Sequence, residues 1–303
     1  MSELRPGRTA VTTKGWLAAH KWLLARRAAQ AFFLALFLSG PLFGLWIAKG
    51  TLASSLTLKI LPLTDPLMAL QALLAGHKLE AAALLGAAIV LAAYAILGGR
   101  AYCAWVCPVN VVTDLAAWLR ARLGLKEGVP LNRSLRMWLL GGVLVAAVVT
   151  GSLAWEMVNP VTILHRGLVY GGGLAAVLVT VAIFLLDLGV APRGWCSHLC
   201  PVGAFYGLVG ERSVVRVAAR RRDACNDCME CFAVCPERHV IAPALRGGAK
   251  GVGPVILSRD CTNCGRCIDV CSKNVFRFGT RYKNGLDDVE HVAAAAGAPA
   301  KVA

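Results

Sequence analysis

Eight cysteines towards the C-terminal end fall into two runs of one design, Cys225-x2-Cys228-x2-Cys231-x3-Cys235-Pro236 and Cys261-x2-Cys264-x2-Cys267-x3-Cys271. In two-cluster bacterial ferredoxins three thiolates so spaced wrap one cubane in a tight loop, and the fourth reaches across to the other cluster. The spacing predicts one [4Fe–4S] centre on Cys225, Cys228, Cys231 and Cys271, and a second on Cys261, Cys264, Cys267 and Cys235. Cys-x2-Cys pairs also serve structural zinc and disulfides, but two complete runs of this form favour iron–sulfur chemistry and electron transfer. Ser272 stands where the second run would carry proline, which loosens that end without removing a ligand.

Four more cysteines form a different pattern, Cys103-x3-Cys107-Pro108 and Cys196-x3-Cys200-Pro201. Residues four apart project from one helical face, and the proline that follows ends or kinks the helix. Three readings stay open for these thiols: redox-active pairs or a quinone-adjacent relay, ligands of an additional metal or iron–sulfur centre, or inert helix-end residues. The absence of Cys-x2-Cys-His excludes covalent c-type haem. A quinol oxidation site would need a proton acceptor; Asp65, His77, Glu156 and His165 are candidates on one side of the membrane, with His198 on the other.

The elements that must position these residues are apolar. The chain is 57% hydrophobic and 16% charged, with a mean hydropathy of +0.61, the composition of a membrane protein. Stretches at 28–48, 79–98, 135–155 and 168–188 approach the ~20 residues that a bilayer-crossing helix requires. The formal charge of +15 marks topology rather than nucleic-acid binding. Six Lys/Arg precede the first stretch and five lie between the second and third, against three in Lys49–Lys78 and one, Arg166, before the fourth. Positive-inside counting places both termini and the loop between the second and third stretches of this multi-pass protein in the cytoplasm, and the ferredoxin segment follows on the same side, where reducing conditions suit free thiols. The first apolar stretch is too long for a signal-peptide core and lacks a small-residue cleavage site.

The membrane part reads as an internal repeat. Each half gives a span, an outer loop with Asp65-Pro66 or Asn159-Pro160, a span, and a Cys-x3-Cys-Pro motif; the loop-to-cysteine spacing is 38 residues in one half and 37 in the other. Both halves run in the same direction, so a two-fold axis along the membrane normal is expected. The predicted organisation is a cytoplasmic segment 1–27, which reads as an interfacial or hydrated stretch, then a four-helix membrane domain 28–209. A small α+β ferredoxin domain 210–286 and a disordered tail 287–303 follow. Val202–Val209 reads as a helical connector, Arg216 and Arg220–Arg222 as headgroup anchors, and Pro243–Pro254 as a surface loop. No P-loop, hydrolase elbow or HExxH motif occurs.

Several segments together closely resemble the NapH family of membrane ferredoxin-type proteins: Phe37-Leu-Ser-Gly-Pro-Leu-Phe-Gly44, Leu63-Thr-Asp-Pro-Leu-Met68, Trp155-Glu156-x2-Asn159-Pro160, Gly194-Trp195-Cys196-x3-Cys200-Pro201-Val-Gly-Ala204 and Cys261-x2-Cys264-Gly-Arg-Cys267. The resemblance covers roughly Lys14–Arg281. It implies a quinol dehydrogenase role, with a NapG-type periplasmic polyferredoxin as partner and electrons passing on towards the periplasmic nitrate reductase NapA and its haem subunit NapB. The related NosR, CcoG and MauN families share the Cys-x3-Cys-Pro architecture, MauN being nearest in size. A periplasmic acceptor and cytoplasmic clusters leave two arrangements open, a route across the helices or a separate redox input. The rival reading is a redox-maintenance or assembly factor for a partner metalloenzyme, or a MauN-like electron carrier of amine metabolism.

Overall fold

The computed structural model describes residues 6–282 apart from 59, 126, 127 and 172, so the expected tail at 287–303 lies outside the described residues. The chain opens with two short helices, α1 (Arg8–Lys14) and α2 (Trp16–Ala19), and a 23-residue helix, α3 (Lys21–Phe43). The expected span at 28–48 is thus displaced towards the N-terminus. The carboxylate of Asp269 accepts the N–H groups of Trp22 (3.0 Å) and Leu23 (2.9 Å) and satisfies the first turn. At the other end Gly44 adopts the left-handed conformation, φ 69°, that closes a helix. Hydropathy registers neither event.

Residues 48–78, expected as a loop, hold an antiparallel sheet of β1 (Ala48–Gly50), β2 (Ser54–Thr57) and β3 (Leu61–Thr64), and then a half-helix, α4 (Pro66–Leu74). Helix α5 (Ala81–Leu97) agrees with the expected stretch at 79–98. Beyond it come α6 (Ala101–Trp105), α7 (Val109–Arg122) and α8 (Leu135–Thr150). The third stretch, expected to reach 155, stops at Thr150 because Gly151 turns left-handed. Next are α9 (Ala154–Val158), a second half-helix α10 (Pro160–Tyr170), and α11 (Leu174–Leu185), which runs on through a π-helical turn, Leu186–Val190. The fourth stretch, 168–188, is therefore two pieces divided around Gly171 and Gly173. The order apolar helix, half-helix, apolar helix, cysteine turn recurs in both halves, and each half-helix starts with the same device: Asp65 and Asn159 accept backbone N–H groups ahead of a proline at the first helical position.

Among the described residues α3 is long and apolar enough to cross a membrane by length and composition; α5, α8 and α11 with its π turn are apolar but hold 17, 16 and 17 residues. At ~1.5 Å per residue the shorter ones reach about 25 Å against a hydrocarbon core of ~30 Å. Large apolar side chains stand outward on all four, among them Phe32, Leu85, Trp138, Val149, Leu174 and Leu178.

Past a second π turn, Trp195–Leu199, helix α12 (Pro201–Val209) leads to the C-terminal unit: β4 (Val215–Ala219), α13 (Glu230–Val234), α14 (Ile241–Arg246), α15 (Arg266–Val270) and β5 (Phe276–Thr280). β4 and β5 pair antiparallel, with Val215 opposite Thr280 and Ala219 opposite Phe276. Val217, Ile241, Leu245, Ile256 and Phe276 build its core, separate from the core of the helical part around Leu67, Tyr102, Leu140, Trp155 and Tyr206.

Three expectations are corrected here. Arg216 is not a headgroup anchor: it is buried in β4 and donates to the carbonyls of Gly210, Glu211 and Ser258, while Arg222 donates to those of Ala244 and Val252. Pro243–Pro254 is not wholly loop, since α14 covers its start. The segment 1–27 is neither a hydrated tail nor an interfacial stretch alone. Its α1 docks on the C-terminal unit, where Glu230 accepts from Gly7 N (3.1 Å) and Thr9 Oγ1 (2.8 Å), and Lys14 Nζ donates to Ile268 O (2.9 Å).

The segment after α5 passes tightly against the end of α12 at Gly99. A β-carbon there would collide with Tyr206 O and Gly210 N, both backbone atoms that cannot turn aside. Gly99→Ala is expected to destabilise the fold by about 3 kcal/mol, the upper range of overpacking, seen as a lower midpoint in thermal denaturation of the detergent-solubilised protein, with Gly141→Ala, which meets nothing within 4 Å, as the unaffected control.

Candidate redox site

The two ferredoxin-type loops share one backbone device. The second and fourth residues after the first cysteine of each run are left-handed: Asp227 (φ 51°) and Met229 (φ 61°) in one, Asn263 (φ 46°) and Gly265 (φ 72°) in the other. Each non-glycine residue so placed costs roughly 1–2 kcal/mol, so the strain has a purpose: it curls the loop and starts the short helices α13 and α15. Cys225, Cys228, Cys231 and Cys271 line one pocket together with Phe232, Leu245 and Phe276. Burial pushes the Cys231 thiol up to about 12, helped by Cys271, Cys228 and Cys225. The second run feels its own neighbours most. Burial raises Cys267, and Cys264, Cys235 and Cys261 add to it. Cys264 is the exception, because Arg266 and Arg26 outweigh its burial and hold it below its ordinary value.

All twelve cysteines are free thiols. Among the described residues, no three of them gather within 4.8 Å, whereas a tetrahedral zinc site with Zn–S bonds of ~2.3 Å sets its sulfurs ~3.8 Å apart. Four cysteines lining one pocket at spacings wider than a zinc site suit a cubane better than a single zinc ion.

The Cys-x3-Cys-Pro motifs do not continue the preceding helices. Gly98, φ 107°, breaks the chain after α5, so Cys103 lies on the single turn of α6 and Cys107 just past it. Cys196 lies within the π turn and Cys200 caps α12. Cys103, Cys107 and Cys200 pack in one apolar core with Tyr102, Trp105, Trp195 and Phe205, and Cys196 Sγ is 3.8 Å from Thr113 Oγ1. Burial pushes Cys200 up to about 12, with Cys103 the next cause, and lifts Cys107 and Cys196 as well, Cys200 acting on both. The four thiols of the two halves thus feel one another.

This core touches the second ferredoxin-type loop directly. Trp105, between Cys103 and Cys107, donates its indole N–H to Asn263 O, between Cys261 and Cys264, at 3.0 Å. Arg100 is buried and donates to Glu237 Oε1 (2.8 Å), just past Cys235, to Asp260 O (2.8 Å), just before Cys261, and to Cys196 O (3.0 Å). Glu237, His239 and Asp260 would resemble a metal site, but Arg100, Arg136 and Arg133 take up their charge. Asp260 is held below the usual carboxylate range: burial would raise it, but the hydrogen bond from His239 and the charges of Arg136 and Arg100 prevail. A second ion-pair hub fixes the same loop from another side, where Asp114 of α7 meets Arg27 (2.5 Å), Arg193 (3.0 Å) and Arg266 (2.7 Å).

Of the four proton-acceptor candidates, two come together. Asp65 and Glu156 line one cleft between the start of α4 and the α9–α10 junction. His77 instead holds Gly151 O through Nε2 at 3.0 Å. His165 is buried edge-on against Phe37, ring centroids 4.6 Å apart, and burial pushes it down to about 4, so it is neutral.

Sequence reasoning passed over Arg100, Arg193, Trp105 and Asp114. One signal was available: an arginine stands three residues before the first cysteine of each motif, Arg100 before Cys103 and Arg193 before Cys196. Each goes to a carboxylate that anchors the C-terminal unit. The carboxylates themselves, Glu237 and Asp114, carry no comparable mark.

Fold and site together define a helical, ferredoxin-type iron–sulfur protein of electron transfer. Residues 80–126 and 172–221 match the family described as "4Fe-4S binding domain", and residues 224–275 the "4Fe-4S dicluster domain". The chain is 50% identical to the ferredoxin-type protein NapH of Escherichia coli over 92% of its own length and 96% of that protein's. It is 54% identical to the methylamine utilization ferredoxin-type protein MauN of Paracoccus denitrificans over 90% and 95%, and 48% identical to NapH of Haemophilus influenzae over 88% and 93%. The chain belongs to the NapH family of ferredoxin-type proteins, with MauN as a close sibling. No solved structure matches it.

Proposed function

We propose that this chain is the quinol-oxidising electron-transfer subunit of a membrane complex and delivers electrons to a NapG-type iron–sulfur partner on the way to a periplasmic nitrate reductase, NapA with NapB. Cys225, Cys228, Cys231 and Cys271 hold one [4Fe–4S] cluster; Cys261, Cys264, Cys267 and Cys235 hold the other. When bound, the clusters supply one-electron storage. Cys103, Cys107, Cys196 and Cys200 make a third thiolate set for an additional centre or a redox thiol relay. The helices α3, α5, α8 and α11 cross the inner membrane, with the C-terminal unit in the cytoplasm. Their outward apolar side chains support this, and α12 and the ion-pair hubs keep the unit at the membrane surface.

The observation that carries the reading is the junction at Arg100 and Trp105. Two side chains of the first Cys-x3-Cys-Pro segment bond directly to the second ferredoxin-type loop, so the membrane cysteines and the loop form one continuous buried body. That arrangement suits an electron route from the lipid phase better than a stand-alone ferredoxin. The test uses the reconstituted holoprotein in lipid nanodiscs with a short-chain quinol as the electron source. Appearance of the reduced-cluster EPR signal on quinol addition is expected. A protein whose clusters accept electrons from dithionite and ignore the quinol would instead be a redox-maintenance or assembly factor.

A further inference from the structure

We propose that the cleft lined by Asp65, Gln71, Tyr102, Trp155, Glu156 and Thr162 is the quinol headgroup site, in which Asp65 accepts a proton from one ring hydroxyl and the Trp155 indole N–H donates to the opposite ring oxygen. The inference rests on the quinol-oxidising role proposed above and places that chemistry in the fold.

Trp155 is 8% exposed, lines the cleft, and its Nε1 has no hydrogen-bond partner. A buried indole N–H left without an acceptor is costly, and a ligand oxygen would satisfy it. Across the cleft the Asp65 carboxylate has spare capacity. Oδ1 accepts the N–H groups of Leu67 (2.7 Å) and Met68 (3.2 Å), while Oδ2 has one long contact, from the Tyr206 hydroxyl at 3.3 Å. An ionised carboxylate offers about four acceptor positions. A donor without an acceptor and an acceptor with room to spare thus line the same cleft, the pair of functions that a quinol ring's two oxygens call for.

The neighbours of Asp65 favour a proton acceptor. Its titratable surroundings are Tyr206 on α12, Tyr94 on α5, Tyr102 on α6 and Glu156 on α9, with no lysine or arginine among the described residues that act on it to pin the carboxylate ionised. Burial pushes it up to about 6, against its backbone hydrogen bonds, which lower it. Above that pH it is a carboxylate of enough basicity to take a hydroxyl proton. The balance is complete. Two ring O–H bonds break, the ring becomes a quinone, one proton goes to Asp65 and the other to the partly exposed Glu156. The two electrons leave one at a time to iron–sulfur acceptors. Tyr102 places the cleft one residue from Cys103. The cleft has room for water rather than a ring, so entry of the headgroup requires α4 and α9 to separate and the bond from Trp155 N to Gln71 Oε1 to break.

Two readouts test this on the holoprotein in nanodiscs. A photoactivatable azidoquinone should label peptides 63–74 and 153–162, with labelling suppressed by excess quinone, and Trp155→Phe should weaken binding about 10-fold, the loss of one buried hydrogen bond. Asp65→Asn should keep the label yet slow quinol-driven cluster reduction at least ~100-fold, the scale of general base catalysis. It should also abolish the rise of the wild-type rate as pH increases through about 6; dithionite reduction stays unchanged. If the wild type is not reduced by quinol at all, the proposed function fails. If the wild type is reduced but Asp65→Asn matches it in rate and pH profile, or the label lands elsewhere, this site is wrong and the function stands.

Discussion

Cys271→Ser is expected to remove the cluster held by Cys225, Cys228 and Cys231, although those cysteines lie 40 or more residues upstream. A serine oxygen is a poor substitute for thiolate at a cubane corner, and iron content should fall to roughly half. The reciprocal variant, Cys235→Ser, should remove the other cluster, the one that Cys264→Ser also removes. The diagnostic is the pairing of spectra. With crossed ligation the EPR spectrum left in Cys235→Ser matches that of Cys264→Ser, and Cys271→Ser matches Cys228→Ser. With uncrossed ligation Cys235→Ser would match Cys228→Ser. Full iron in all four variants would remove the cluster assignment altogether. The structure supplies a reason to expect crossing, since Cys271 lines the pocket of the first run and burial of Cys235 is compounded by Cys264 and Cys261 of the second.

Arg100→Ala should separate the two parts of the molecule. Arg100 and Glu237 are 2% and 1% exposed at their side chains, and breaking such a pair from one side leaves a buried charge, at a cost of about 3–5 kcal/mol. Arg136 at 3.4 Å and Arg133 at 3.6 Å compensate only in part. The same substitution abandons the carbonyls of Asp260 and Cys196. Limited proteolysis between Arg212 and Val215 should accelerate, and quinol-driven cluster reduction should be lost while dithionite still reduces the clusters. Arg100→Lys keeps the charge but not the planar fork and should fall between. Wild-type proteolysis and reduction in Arg100→Ala would show that the junction does not hold the two parts together. Replacing both Arg100 and Glu237 by methionine separates stability from electron flow, because a packed apolar pair restores the first without restoring the bonds to the second loop.

What the sequence made legible was whatever rests on local spacing. The two cysteine runs, the repeat, and the half-helix starts at Asp65-Pro66 and Asn159-Pro160 all follow from neighbours along the chain. The limits of the apolar helices did not, because they are set at a distance. Hydropathy places the first stretch over 28–48, whereas Asp269, almost 250 residues away in sequence, fixes its start at Lys21. The charges misled for a related reason. Arg216 and Arg222 look like headgroup anchors until their partners, backbone carbonyls, arrive from elsewhere in the fold. Trp155 was read only as part of a family motif; its unpartnered indole becomes visible once α4 closes over it.

The clasp between the first helices and the last cysteine loop also orders events in time. At ~5–20 residues per second, some 12–50 s separate the synthesis of Trp22 from that of Asp269, which satisfies its N–H group. Throughout that interval the start of α3 must be hydrated or held by a chaperone, and the docking partners of α1, Glu230 and Ile268, do not yet exist. Closure of the N-terminal segment therefore cannot precede synthesis of the second cysteine run. Its closure depends on the chain between Cys225 and Cys271 having taken its final shape, so protection of α1 from proteases serves as a readout of maturation at the far end of the polypeptide.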